Sequence, residues 1–183
     1  LASLRTIPNS YVFRPADATE AQAAWYLSQK TNDKPTSIVL TRQNLPILEN
    51  SSFEKVAKGA YVVYETAEEF DTILIATGSE VALAIDVARE LEKDGSKVRV
   101  VSMPSVELFE EQSKEYKEEL LPLNVRRRVS LEMGNSALWY KYVGLDGLAI
   151  GIDKFGASAP ANKVIEEYGF TVEAVVEKIK NEL

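Results

Sequence analysis

The residue best suited to chemistry in this 183-residue sequence is Arg42, which directly follows an apolar run at Ser37–Thr41. Such a run predicts a β-strand, and open α/β sheets bind their ligands at the carboxyl ends of parallel strands. Arginine can hold a phosphate group through two parallel hydrogen bonds, which lysine cannot. On position alone, a structural ion pair explains Arg42 as well as a phosphate-binding role does.

A second candidate is Thr77-Gly78-Ser79, which follows another apolar run and precedes a helical pattern. A helix N-terminus can bind phosphate, but this segment has a single glycine and no G-x-G-x-x-G or Walker pattern. Glu80 would also repel an anion there. Thr77 and Glu80 have the spacing of a T-x-x-E capping box, so the pattern favours helix capping over a ligand site.

The aromatic residues Trp139, Tyr140 and Tyr142 could stack on a base or a sugar, but their helical spacing favours a place in the core or at an interface. The segment Phe155–Pro160 contains small residues that allow backbones to approach closely. Such a segment suits a domain or subunit contact as well as a ligand loop.

Two charged clusters are predicted to be solvated. The run Arg126-Arg127-Arg128 precedes a predicted strand and is typical of an exposed edge with packed aliphatic stems. The segment from Leu108 to Leu121 is predicted to form one charged helical connection. Glu107, Glu110 and Glu111 are predicted to face solvent rather than form a catalytic pair.

Composition limits the possible chemistry. The chain has no histidine and no cysteine, so disulfide, thiolate and zinc–sulfur chemistry are excluded, and any general base must be another residue type. The formal net charge of −7 argues against a nucleic-acid partner, which requires a basic face. No apolar run approaches the ~20 residues of a membrane span. The lack of cysteine suits a cytoplasmic protein.

The strongest structural pattern is a βαβ unit between Asp71 and Ser105. Apolar runs at Thr72–Ala76 and Val98–Val101 predict two buried parallel strands. Between them, apolar residues recur at helical spacing until Asp94-Gly95, where glycine tolerates the left-handed conformation that ends a helix.

The remaining patterns predict an α/β protein in two parts, 1–60 and 61–183. Residues 1–61 carry seven Lys or Arg and five Asp or Glu, whereas residues 62–183 carry fourteen and twenty-three. The first part shows two strands and one helix, a partial βαβ unit. The second predicts five strands with intervening helices, a three-layer α/β/α sandwich with a mostly parallel sheet.

Several motifs resemble transketolases in sequence and order. They are SLRTIPN at 3–9, RPAD at 14–17, LTRQNLP at 40–46, KGAYVV at 58–63, ATGSEVALA at 76–84, VVSMPSVELFEEQ at 100–112, WYKYVGLDG at 139–147 and FGASAP at 155–160. The resemblance covers essentially the whole chain. It assigns residues 1–60 to the end of a pyrimidine-binding domain and residues 61–183 to a transketolase C-terminal domain.

The resemblance implies a cytoplasmic, homodimeric transferase of the pentose phosphate pathway. Transketolases use thiamine diphosphate (thiamine pyrophosphate) and Mg²⁺ or Ca²⁺ to move a two-carbon ketol unit from a ketose phosphate to an aldose phosphate. The cofactor supplies the reactive carbanion, and the protein supplies orientation and charge. Of the family's functional residues, only the arginine of the TRQN motif maps here, which implies that Arg42 binds the sugar phosphate.

Other family residues have no counterpart in this sequence. The metal-binding GDG motif, the glutamate that activates the cofactor and the catalytic histidines are absent. We therefore expect an inactive fragment of a transketolase, with no catalytic, cofactor-binding or metal-binding residue of its own. The alternatives are a fragment of a related enzyme such as dihydroxyacetone synthase, and a free-standing binding or dimerisation module.

Overall fold

The computed structural model describes all residues, 1–183. A two-stranded parallel sheet, formed by β1 and β2, precedes a five-stranded sheet. The elements are, in chain order, α1 (Ala2–Arg5), β1 (Tyr11–Phe13), α2 (Ala18–Lys30), β2 (Thr36–Ile38), α3 (Phe53–Val56), β3 (Tyr61–Glu65), β4 (Thr72–Ala76), α4 (Glu80–Lys93), β5 (Val98–Ser102), α5 (Val106–Glu110), α6 (Lys114–Leu120), β6 (Arg127–Leu131), a 3₁₀ helix (Ser136–Trp139), α7 (Tyr140–Val143), β7 (Leu148–Ile150), α8 (Ala161–Glu167) and α9 (Val172–Glu182).

The large sheet has the strand order β3-β5-β4-β6-β7. Every neighbouring pair is parallel except β3 and β5, which are antiparallel at one edge. The predicted five-stranded, mostly parallel sheet is therefore confirmed.

Helices cover both faces of this sheet. On β4, Leu74 and Ala76 pack in the cluster that contains the buried residues of α4 and α9. Ile73 and Ile75 point to the other face and pack with residues of α5, α6 and the segment around Trp139. This alternation follows from the two-residue period of a strand, and it confirms the three-layer sandwich.

The N-terminal part is a βαβ unit, as predicted. Helix α2 begins after Asp17, whose carboxylate accepts a hydrogen bond from the Glu20 amide at 2.9 Å. Tyr11, Phe13 and Ala23 belong to the same apolar cluster as Leu74. The N-terminal part therefore packs into a core that it shares with the large sheet.

The helices between β5 and β6 differ from the sequence prediction. One helical connection was expected between Leu108 and Leu121, but the chain forms α5 and α6 instead. Helix α6 begins after Ser113, whose hydroxyl caps the helix by accepting a hydrogen bond from the Tyr116 amide at 3.2 Å. None of the helices combines the length and the hydropathy that a membrane-spanning segment needs.

Candidate functional site

Arg42 lines a cleft of about 410 Å³ between the two parts of the chain. The segment Val39–Gln43 forms one wall, and Gly78, Ser79, Met133 and Ala161 belong to the C-terminal part. Arg42 itself is exposed. Its guanidinium forms none of the ion pairs in the structure, so the structural ion pair allowed by the sequence is not formed.

Strand β2 places Arg42 at the cleft. The strand ends at Ile38, and the amide of Val39 donates a hydrogen bond to the carbonyl of Phe13 at 2.8 Å. Beyond it, the Thr41 hydroxyl donates to the Gln43 side-chain oxygen at 2.8 Å. Arg42 thus lies on a short turn at the carboxyl end of a parallel strand, where open sheets bind ligands.

Arg14 lines the same cleft as Arg42 and forms an ion pair with the buried Glu80. The Arg14 guanidinium donates to the Glu80 carboxylate at 2.5 Å, and the Glu80 side chain is fully buried. The same nitrogen of Arg14 lies 2.6 Å from the carbonyl oxygen and 2.9 Å from the hydroxyl oxygen of Thr77, which share its second N–H as acceptors. Arg14 therefore joins the end of β1 to the turn that connects β4 with α4.

The predicted capping box at this turn is wrong. Helix α4 has Ser79 at its N-cap, and no side chain caps it. The Thr77 hydroxyl donates instead to Glu132 at 2.9 Å, while Glu80 accepts hydrogen bonds from Arg14 and from the Met133 amide. Both side chains bind long-range partners that the local pattern does not contain.

A second buried pair joins Arg5 to Glu132. Two nitrogens of the Arg5 guanidinium donate to the two carboxylate oxygens at 2.8 and 2.9 Å, and the side chains are only 3% and 2% exposed. The Trp139 indole also donates to Glu132, at 3.0 Å. This is the bidentate geometry that makes an arginine–carboxylate pair strong.

These partners change the pKa of Glu132. Burial alone would raise it, but the hydrogen bonds and charge of Arg5, together with the charge of Arg14, hold the pKa of Glu132 below its ordinary value. A carboxyl whose pKa is lowered by folding contributes stability above its unfolded pKa, about 4.3, and loses it as the pH falls through the folded pKa.

We therefore expect the free energy of unfolding to fall as the pH drops below about 4.3, partly through Glu132. Urea unfolding at a series of pH values measures this. In Glu132→Gln the free energy of unfolding should fall less steeply with decreasing pH than in the unchanged chain, because the glutamine side chain does not titrate. An identical slope in the two proteins contradicts this assignment.

Comparison with known protein families decides the identity of the fold. Residues 59–171 match the transketolase-like C-terminal domain. Residues 1–47 match the transketolase pyrimidine-binding domain. The chain belongs to the transketolase family.

Individual transketolases agree along the whole chain. A probable transketolase from Streptococcus pneumoniae serotype 4 is 64% identical over 181 residues, which are 99% of this chain and 28% of that protein. A transketolase mutant from Pichia stipitis, solved in complex with fructose 6-phosphate, superposes with a TM-score of 0.92 at 40% identity, over 99% of this chain and 26% of that one. The chain thus spans little more than a quarter of these relatives.

A split-gene transketolase is also similar. Its structure is described as an inactive β4 tetramer and superposes with a TM-score of 0.82 at 25% identity. The superposition includes 100% of this chain and 61% of the split-gene chain.

The aromatic residues of this transketolase-family chain are mostly in the core, as predicted. Trp139 and Tyr142 are buried, and their ring centroids lie 5.9 Å apart. Tyr140 is exposed and so lies outside the core, and for this residue a place at an interface stays a prediction. The segment Phe155–Pro160 is exposed along its whole length.

The three glutamates predicted to be solvated all accept hydrogen bonds from other parts of the molecule, and of the three Glu111 remains exposed as predicted. Glu107 accepts a hydrogen bond from the Val12 amide at 3.2 Å, and Glu111 accepts one from the Tyr11 hydroxyl at 2.8 Å. Glu110 accepts one from the Tyr142 hydroxyl at 2.5 Å. The helical charge pattern showed that these residues lie together on or next to α5, but it could not show that β1 and α7 contact them.

The arginine run is only partly a solvated edge. Arg126 is exposed and pairs with Asp146. Arg128 is partly buried, and its guanidinium donates to four backbone carbonyls, those of Leu121, Pro122, Val125 and Tyr142. Arg128 therefore ties the end of α6 and the end of α7 to β6, a role that sequence spacing did not reveal.

Proposed function

We propose that this chain is the C-terminal part of a transketolase, an enzyme that transfers a two-carbon ketol unit from a ketose phosphate to an aldose phosphate. The observation that carries the proposal is the match of 99% of the chain to about 28% of a protein named transketolase. The chain alone is then inactive. A free-standing binding module or a fragment of dihydroxyacetone synthase is less well supported by these relatives.

In this proposal Arg42 binds the phosphate of the sugar substrate. It is exposed, it lines a cleft at the carboxyl end of β2, and it forms no ion pair that a phosphate would have to displace. Its guanidinium can donate two parallel hydrogen bonds to phosphate oxygens. The related Pichia stipitis transketolase was solved with a sugar phosphate, fructose 6-phosphate.

The residues of this chain do not fit a divalent-ion site. No three His, Cys, Asp or Glu side chains converge in a way that could hold a metal. We assign thiamine diphosphate and its Mg²⁺ or Ca²⁺ to other parts of a complete enzyme, because the GDG motif and the cofactor-activating glutamate of the family have no counterpart in this sequence. The cofactor would supply the carbanion there, and the contribution of this chain is to bind and orient the sugar phosphate.

We further propose that the chain divides at residues 60 and 61 into the end of a pyrimidine-binding domain and a C-terminal domain. The two family matches, to residues 1–47 and 59–171, support this division. The complete enzyme is proposed to be a cytoplasmic homodimer of the pentose phosphate pathway. The inactive split-gene relative supports the expectation that this part alone transfers nothing.

Two measurements test the proposal. Isothermal titration of the chain with thiamine diphosphate and Mg²⁺ should give no saturable heat, and saturable binding would contradict the assignment of the cofactor to other parts.

In a chimera, this chain replaces the equivalent residues of the 64% identical Streptococcus pneumoniae protein. That chimera should transfer ketol units between sugar phosphates.

In the chimera, Arg42→Leu should lower kcat/KM about ten- to a hundredfold, mainly through KM, because a charge-assisted hydrogen bond is worth roughly 1.5–3 kcal/mol. Arg42→Lys should retain part of the affinity, because lysine keeps the charge without the two parallel hydrogen bonds. Arg126→Leu is the matched control, since Arg126 is an exposed arginine that does not line the cleft. If Arg42→Leu and Arg126→Leu behave alike, Arg42 does not bind the substrate.

A further inference from the structure

We infer that the C-terminal part positions Arg42, and that Arg14 is the positioning residue through which it does so. The inference rests on the proposed function, since it concerns the residue that we propose binds the sugar phosphate. It gives residues 61–183 a specific task, although they contain no residue assigned to the phosphate.

The backbone around Arg14 connects the two sides of the cleft. Its amide donates to the carbonyl of Pro104 at 2.8 Å, and its carbonyl accepts from the amide of Gly78 at 3.0 Å. One residue earlier, the carbonyl of Phe13 accepts from the amide of Val39 at 2.8 Å. The end of β1 is therefore bound to the C-terminal part on one side and to the segment that leads to Arg42 on the other.

The side chain of Arg14 strengthens this connection. A single nitrogen of the guanidinium makes the hydrogen bonds to Thr77 and Glu80, and the side chain is only 12% exposed. Glu80 is itself held by the Met133 amide at 2.8 Å and the Ser79 hydroxyl at 2.6 Å. The anchor consequently lies in rigid elements, at the end of β4 and the start of α4.

The turn between β4 and α4 has a shape that admits Arg14. Gly78 has a φ of +56°, and a Cβ atom there would lie 2.7–2.9 Å from three atoms of the Arg14 side chain. Glycine is thus needed both for the backbone conformation and for the close approach of the arginine.

The pairing also sets the charge of the cleft. Arg14 and Arg42 both line it, but the Arg14 charge is compensated by Glu80. Arg42 is therefore the arginine of the cleft whose charge is not compensated by a carboxylate and can bind a phosphate. Arg14 is therefore a positioning residue and not a second phosphate ligand.

The test uses the full 183-residue chain with inorganic phosphate and ribose 5-phosphate as probes. Exchange of the Val39 amide, which is bonded to the Phe13 carbonyl, reports whether the segment that leads to Arg42 stays attached, and NMR titration reports affinity. Arg14→Met removes the guanidinium but keeps the aliphatic stem, and Arg14→Lys restores the charge. The matched control is Tyr11→Phe, which removes hydrogen bonds to Glu111 across the same interface but outside the cleft.

We expect Arg14→Met to speed exchange of the Val39 amide and to weaken binding of both probes about ten- to a hundredfold. Arg14→Lys should restore part of both, and Tyr11→Phe should leave both unchanged. Faster exchange with a matching loss of affinity supports the inference. Loss of affinity without faster exchange overturns it, because Arg14 would then be a ligand itself.

The outcomes separate this inference from the proposed function. If Arg14→Met binds both probes normally while Arg42→Leu does not, the positioning role is overturned and the role of Arg42 stands. If the unchanged chain binds neither probe, the phosphate-binding role of Arg42 fails, and exchange at Val39 in Arg14→Met still decides whether Arg14 orders the segment. If Tyr11→Phe reproduces the effect, the interface acts generally and the specific role of Arg14 is overturned.

Discussion

Replacing Glu132 by leucine is expected to lower the free energy of unfolding by about 3–5 kcal/mol, because it leaves the buried charge of Arg5 without a partner. The remaining nitrogen of that guanidinium, Nε, is already buried without a hydrogen bond, so Arg5 depends on Glu132. The Trp139 indole and the Thr77 hydroxyl lose their acceptor as well. Denaturant unfolding at pH 7 measures the change.

Two further variants separate the buried charge from other causes. The double substitution of Arg5→Met with Glu132→Leu should recover part of the loss, because an apolar pair can replace a buried ion pair at little cost. Glu111→Gln breaks a pair whose glutamate is 47% exposed and should cost less than about 1 kcal/mol. A double variant as unstable as Glu132→Leu alone would show that the unpaired charge is not the cause.

The sequence predicts the central fold well because its signals there are local. The apolar runs at Thr72–Ala76 and Val98–Val101 contain the residues that β4 and β5 bury. Gly95 follows Asp94, the C-cap of α4, and has a φ of +87°, as the helix-ending pattern requires. A strand buried on both faces and a helix with one apolar face each carry their own periodicity, so no distant partner is needed to recognise them.

The contacts between the two parts were not predictable in the same way. Glu80 has the spacing of a capping residue, but Arg14, 66 positions earlier, outcompetes the helix end for its carboxylate. Glu107 looks solvated in the sequence, but β1 packs against α5 and the Val12 amide donates to its carboxylate. A local pattern indicates the bonds that a side chain can make nearby, and tertiary packing decides which of them it makes.

The distribution of charge along the sequence did indicate that the two parts pack against each other. The N-terminal part is slightly basic and the C-terminal part is acidic. All three ion pairs between them have the cation in the N-terminal part, namely Arg5–Glu132, Arg14–Glu80 and Lys34–Glu111. The change in charge near residue 60 therefore reflects complementary surfaces as well as a boundary, and charge balance across a boundary can indicate that two parts dock.

The boundary itself has a strict backbone requirement, and Gly59→Ala is expected to reduce the free energy of unfolding by about 3 kcal/mol or more. Gly59 has a φ of +78°, and a Cβ atom would lie 2.1 Å from the amide nitrogen of Phe109 and 2.4 Å from the carbonyl oxygen of Ser105. Both are backbone atoms of α5 and its N-cap, so no side-chain rotation relieves the overlap. The carbonyl of Gly59 also accepts the Ser105 amide at 3.0 Å, and separation of the two segments would break this bond.

Gly95→Ala is the matched control, because Gly95 also has a positive φ but no atom lies within 4 Å of the position that a Cβ would occupy. Its cost should be only that of the left-handed conformation, about 1 kcal/mol. Thermal and urea unfolding measure the loss of stability in each variant. Both variants strain a left-handed backbone, and only Gly59→Ala adds an overlap between the new Cβ and backbone atoms. Equal losses would mean that α5 shifts to accommodate the added methyl group at no cost, whereas a larger loss for Gly59→Ala means that close packing of the boundary against α5 holds the two parts in register.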